Sequence, residues 1–221
     1  MLNDNLMRII QETPATLLKS SVMVLVSFVY ISFYNHTRKT QFLVGKTFKE
    51  LWNQMILCFL FNFMLFTLGA LSNEQRIDKK LIVYLFCVIG NVDIFIRKIP
   101  TEFLLIDFAL SVYYLIPIEN VYLKIACILI NSVWFFIKDR LGIGLHDIFL
   151  ILIQSLLVQD IRNLLYFDAF ILILWGISGV LLKSIYRKSG SGRPSCEGKE
   201  KARIPLAPVI ITAFMISQLV S

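Results

Sequence analysis

Charge is scarce in this chain. Asp, Glu, Lys and Arg make up 17% of its 221 residues, where an ordinary soluble domain carries about 25%. Apolar residues fill 57% and mean hydropathy is +0.72, so water is not the main solvent. No polar stretch is long enough for a soluble domain; the longest candidate outside the last basic loop, Asn35 to Gln54, falls well short of the size a hydrophobic core needs. None of the four cysteines stands in a C-x-x-C pair, which removes the usual zinc and disulfide frameworks. Cys58, Cys87 and Cys127 fall in apolar runs and are expected to be buried thiols. No Rossmann or P-loop glycine pattern and no internal repeat is present. The first apolar run is not followed by a small-residue cleavage site, so it reads as a retained helix rather than a signal peptide.

What the sequence has in abundance is apolar runs. They cover Leu17 to Tyr34, Met55 to Leu71, Leu81 to Ile96, Phe103 to Ile116, Val121 to Ile137, Gly144 to Val158, Leu164 to Leu182 and Pro205 to Val220. A bilayer core of roughly 30 Å needs about 20 such residues per helix, with about 17 as a practical minimum. The expected fold is therefore all-α, a polytopic transmembrane bundle of about eight spans, several of them short.

The net charge of +7 does not point to nucleic acid, because the basic residues are not gathered on a soluble face with interleaved aromatics. Most of the 22 Lys and Arg lie in four loops: Arg38 to Lys49, Arg97 and Lys98, Lys138 and Arg140, and Lys183 to Arg203. These loops alternate along the chain. Short basic loops stay in the cytoplasm, which places the N-terminus outside and all four basic loops on one side. The last of them contains Ser189-Gly190-Ser191-Gly192-Arg193-Pro194, which reads as a flexible linker.

Ionisable residues inside spans cost about 2.5 to 3.5 kcal/mol on insertion scales, which makes them candidate functional groups. Asp93, Asp107, Lys124, His146, Asp147 and Asp168 are the ones to explain. Asp107, Lys124 and Asp168 lie within a turn or two of expected helix ends, where side chains snorkel or pair, an Asp107 to Lys124 ion pair being one such arrangement. Asp93 and Asp147 have a more pointed context, at the basic-loop ends of their runs. Asp93 opens Asp93-Ile94-Phe95-Ile96-Arg97-Lys98-Ile99-Pro100, in which the proline ends the helix. Asp147 closes Gly142-Ile143-Gly144-Leu145-His146-Asp147, whose glycines allow close backbone approach and an unwound helix start. Ile204-Pro205-Leu206-Ala207-Pro208 opens the last run.

These three elements, in this order, resemble the type IV prepilin peptidases, membrane aspartyl proteases grouped by a G-x-G-D motif. The resemblance covers Leu81 to Val220. It divides the chain into residues 1–80, an N-terminal region with two transmembrane helices and a short cytoplasmic loop, and residues 81–221, a six-helix peptidase core. It makes Asp93 and Asp147 the catalytic pair, with Arg97, Ile99, Pro100, Gly142, Gly144, His146, Pro205 and Pro208 supporting the motifs. The chain departs from the pattern at His146, which replaces the second glycine, at Thr101, where asparagine is usual, and at Phe149, where lysine often stands. Histidine at position 146 either tunes Asp147 or contacts substrate, or simply tolerates the helix start, including a positive φ there. The zinc-binding C-x-x-C segment of larger members is missing from Asn35 to Gln54, which implies a peptidase whose methyltransferase activity is doubtful.

The resemblance implies an aspartic endopeptidase of the bacterial cytoplasmic (inner) membrane, multi-pass, without metal or cofactor. Its partners would be the lipid bilayer and prepilin or pseudopilin precursors, cut behind a basic leader at the cytoplasmic boundary. Glu102 and Asp139 are candidate acidic contacts for that leader. Two carboxylates sharing one proton would activate a water. The alternative from another class is a non-enzymatic carrier or secretion-assembly component, in which Asp93, Asp107, Asp147 and Asp168 bind cations or pair helices.

Overall fold

The structure, a computed structural model, describes residues 2–37, 47–71, 77–115, 121–141, 143–158, 160–188 and 205–220. Among them there is no strand. The helices are α1 (Leu2–Thr37), α2 (Phe48–Leu71), α3 (Ile77–Ile96), α4 (Thr101–Leu115), α5 (Val121–Asn131), α6 (Val133–Leu141), α7 (Leu145–Leu157), α8 (Ile161–Lys188) and α9 (Ala207–Val220). Among the described residues, seven of the eight expected apolar runs fall on one helix each. The run from Val121 is carried by α5 and α6 together, which are separated only by a turn at Ser132. The Ser132 hydroxyl donates to the Leu129 carbonyl at 2.6 Å, the kind of local side-chain bond that competes with a helix.

Four helical stretches are long and apolar enough to cross a membrane: Ile10–Thr37, Phe48–Leu71, Val121–Arg140 and Ile161–Val180. Leu81–Ile96, Leu145–Leu157 and Ala207–Val220 are shorter apolar helices. The outward face supports the same conclusion, since Leu18 is 68% exposed, Phe136 82% and Val180 69%. These are three of the many large apolar side chains that the bundle exposes. The chain is a membrane protein built as a helical bundle.

Two helix starts differ from the sequence expectation. The first helix extends to Leu2 through Pro14, although the segment before Leu17 is polar. The second starts earlier than its apolar run because Thr47 and Glu50 form a capping box: the Thr47 amide donates to Glu50 Oε2 at 3.0 Å, and the Glu50 amide to Thr47 Oγ1 at 3.3 Å. Only residues 38–46 of the expected loop from Asn35 to Gln54 lie outside the described helices and caps.

The core is one buried cluster drawing on helices from α1 to α9. Helix α9 packs on α2, α3, α7 and α8. Its middle, from Val209 to Met215, is buried. Neutral polar groups tie the first three helices. Asn91 Nδ2 donates to Ser27 Oγ at 2.9 Å, Asn62 Nδ2 donates to the Ser20 carbonyl at 3.4 Å, and Cys58 Sγ donates to the Asn91 carbonyl at 3.9 Å. Cys58, Cys87 and Cys127 are buried and form no disulfide.

Ring and amide contacts fix which helix ends meet. Tyr30 near the end of α1 lies on Phe103 at the start of α4, with ring centroids 4.8 Å apart. Gln54 at the start of α2 reaches the Ile94 carbonyl at the end of α3, at 3.4 Å. The end of α1 and start of α2, and the end of α3 and start of α4, therefore gather at one end of the bundle, where the first two basic loops attach.

Candidate active site

At that same end α3 stops. Arg97 takes φ = 57°, the left-handed conformation that ends a helix and that glycine adopts at less cost. Its amide still bonds the Asp93 carbonyl at 2.7 Å. Ile99 and Pro100 are buried, and the Pro100 carbonyl accepts the Phe103 amide at 3.2 Å to start α4. The Asp93-to-Pro100 sequence thus makes a tight link between two helices, with Arg97 and Lys98 exposed.

Asp93 points inward from this link and is 4% exposed. Its Oδ2 accepts the Ala207 backbone amide at 2.9 Å, and the Leu206 amide also faces it. Leu206 is the cap of α9, since its carbonyl takes the Ile210 amide at 3.0 Å. The carboxyl group of α3 therefore satisfies a first-turn donor of a helix 114 residues away in sequence, where the helix field also favours an anion. Pro208, second in α9, has no amide hydrogen and leaves no further donor to satisfy at that position.

Asp147 arrives on α7. Gly144 caps this helix, and its amide donates to Asp147 Oδ2 at 3.0 Å. A Cβ on Gly144 would stand 2.8 Å from that same oxygen, so any larger residue here must displace the carboxyl group, although the φ of −74° is ordinary. Asp147 and His146 are half-buried. Histidine at position 146 lies within α7, and the one described non-glycine residue with positive φ is Arg97. His146 therefore has an ordinary helical backbone, and no positive φ has to be tolerated there. Gly142 lies outside the described residues.

Asp147 lies close enough to Asp93 for its charge to be felt there. The charged groups that influence Asp93 are Asp147 and Arg97, although α9, rather than direct α3 to α7 packing, joins their helices. The structure therefore brings Asp93, Asp147, Arg97, Ile99, Pro100 and the start of α9 with Pro205 and Pro208 to one place. Glu102, in the first turn of α4, and Asp139 are exposed. Among the described residues no group of three or more His, Cys, Asp or Glu could hold a metal ion.

Three other ionisable residues sit away from this site and pair helices. Gln154 Nε2 on α7 donates to Asp107 Oδ2 on α4 at 3.0 Å, while Lys124 on α5 donates to the Val158 carbonyl at the far end of α7. The Asp107 to Lys124 ion pair is not formed: Asp107 is bonded to Gln154 and Lys124 to the Val158 carbonyl. Asp168 on α8 accepts Trp134 Nε1 at 3.3 Å. With the Asn131 amide turned to match its neighbours, Asn131 also donates to Asp168 Oδ2 at 2.8 Å and accepts from Ser155. Both Asp107 and Lys124 are buried, so of the two arrangements expected for them it is pairing that is found.

Sequence reasoning missed the Ala207 and Leu206 amides, since backbone donors leave no residue-type signature. It also missed Gln154 and Asn131, because only ionisable groups were weighed as intramembrane polar residues. Compared with protein-family models, curated proteins and solved structures, the chain matches none. Its functional reading rests on the residues of the site.

Proposed function

We propose that this chain is a membrane-embedded aspartic endopeptidase of the prepilin peptidase type, acting in the bacterial cytoplasmic membrane. The observation that carries the reading is the nearness of Asp147 to the buried Asp93 carboxyl group, at the place where the end of α3 meets the start of α9. On this reading all eight apolar runs are spans, the N-terminus lies outside, and the last six form the peptidase core. The dyad then sits at the cytoplasmic boundary, beside the basic loops.

Two neighbouring carboxylates favour a shared proton over double ionisation. The ionised one takes a proton from water as that water adds to the scissile carbonyl, and the protonated one donates to the carbonyl oxygen. Collapse of the tetrahedral adduct, with proton transfer to the leaving nitrogen, breaks the C–N bond. Backbone amides from Ala207 and Gly144 hold the two carboxyl groups in place, and Arg97 lies within electrostatic reach of Asp93. The proposed substrate is a prepilin or pseudopilin precursor whose apolar helix stays in lipid while its leader junction reaches the dyad. No methyl transfer is part of the proposal. Pairing of Asp107 with Gln154 and of Asp168 with Trp134 accounts for two of the four aspartates that a carrier reading would use.

The test is co-expression with a prepilin bearing a basic leader, with leader removal read by gel shift. Asp93→Asn and Asp147→Asn should each abolish detectable cleavage, a loss of at least about 100-fold as expected for general acid–base groups, with protein still in the membrane. Asp107→Asn should cleave normally. Cleavage by either of the first two variants overturns the assignment.

A further inference from the structure

Asp107 and Gln154 are both fully buried, in contact across the α4 to α7 interface. One bond joins them, from Gln154 Nε2 to Asp107 Oδ2 at 3.0 Å. The remaining oxygen on each side chain, Asp107 Oδ1 and Gln154 Oε1, is buried with no donor. Two acceptors left bare inside a bundle are costly, more so if one shares a negative charge. They are also the two ends of the second bond that a carboxylic acid makes to an amide. One proton on Oδ1, donated to Oε1, closes a cyclic acid–amide pair and satisfies both atoms.

We propose that Asp107 is held as a neutral carboxylic acid, a buried proton site that locks α4 to α7 through Gln154. No charged side chain among the described residues bonds Asp107, whose one partner is Gln154, and Lys124 is engaged by Val158. Ser111 Oγ, one turn further along α4, is a third buried oxygen without a partner, so the rival occupant is a dehydrated cation. A cation there would face the Gln154 amide hydrogens already aimed at the carboxyl group, whereas a proton completes the pair as it stands. Gln154 follows Asp147 by seven residues, two turns along one helix face. The lock therefore holds α7 at one rotation against α4.

The experiment is infrared spectroscopy of the purified full chain in lipid vesicles at neutral pH, as wild type, Asp107→Asn and Gln154→Leu. The wild type should show a protonated-carboxyl carbonyl band that disappears in Asp107→Asn and moves to higher frequency in Gln154→Leu, where its hydrogen-bond partner is gone. Asp107→Asn should keep the wild-type unfolding temperature, because an amide at position 107 makes the same two bonds to Gln154, and Gln154→Leu should unfold at a lower temperature. A spectrum in which neither variant alters that band region, or in which sodium-for-potassium exchange alters the Asp107 signal, overturns the proposal. Should Asp107→Asn fail to accumulate, the frequency shift in Gln154→Leu decides alone, and none of these readouts depends on cleavage.

Discussion

Gly144 holds Asp147 by leaving room. Its φ of −74° suits alanine as well as glycine, so Gly144→Ala should leave the backbone unstrained and change stability by less than about 1 kcal/mol. The new methyl group would nevertheless displace Asp147 Oδ2, only 2.8 Å away. If the proposed dyad is right, cleavage should fall by about 100-fold, the scale expected of a 1 Å misplacement; gel shift and membrane-protein level check the two halves. Arg97 is the opposite case, a residue strained in its backbone. Arg97→Val should destabilise the protein, because a β-branched residue resists φ = 57° more than arginine does, and Arg97→Gly should not, since glycine adopts it freely; thermal unfolding in detergent measures both. Asp93 and Asp147 were legible in the sequence because each sits beside a motif of unusual composition. The strain at Arg97 was not, because an exposed arginine after an apolar run looks like a topology signal and nothing more.

At the level of elements, helix positions followed from apolar run length, while helix contacts did not. A run of leucines and phenylalanines reports that a helix is buried in protein or lipid, without saying which face meets which neighbour. Gly90 shows what decides this. A Cβ at Gly90 on α3 would overlap the ring of Phe61 on α2, so the two helices approach through a glycine, as small residues allow between membrane helices. Gly90→Ala should cost about 1 to 3 kcal/mol through overpacking. Combining it with Phe61→Ala should cost less than the sum of the single changes, as measured by unfolding in detergent; strict additivity would mean that the ring and the glycine do not meet. The Thr47 and Glu50 capping box was readable in principle as T-x-x-E, and it was passed over because polar residues near basic ones look like loop.

Across the whole molecule, the alternation of basic loops predicts that every second helix connection lies on one side, and the contacts agree for the described ends. Asp93 at the end of α3 meets Ala207 at the start of α9 and acts on Asp147 in the first turn of α7, so the attachments of the third and fourth basic loops share the end occupied by the first two. At the opposite end, Lys124 near the start of α5 meets Val158 just beyond α7. Sidedness can be tested independently of any activity. Cys58, Cys87 and Cys127 are buried, so a Cys196→Ser background should be silent toward a membrane-impermeant maleimide. Lys98, Asp139 and Arg162 are all exposed. In intact cells Arg162→Cys should label, while Lys98→Cys and Asp139→Cys should label only after permeabilisation. Labelling of Lys98→Cys and Asp139→Cys from opposite sides would separate the ends of α3 and α6 and remove the basis for a dyad at the cytoplasmic boundary. Labelling of both from outside would keep the bundle but invert it, and the substrate would then have to be cut on the other face of the membrane.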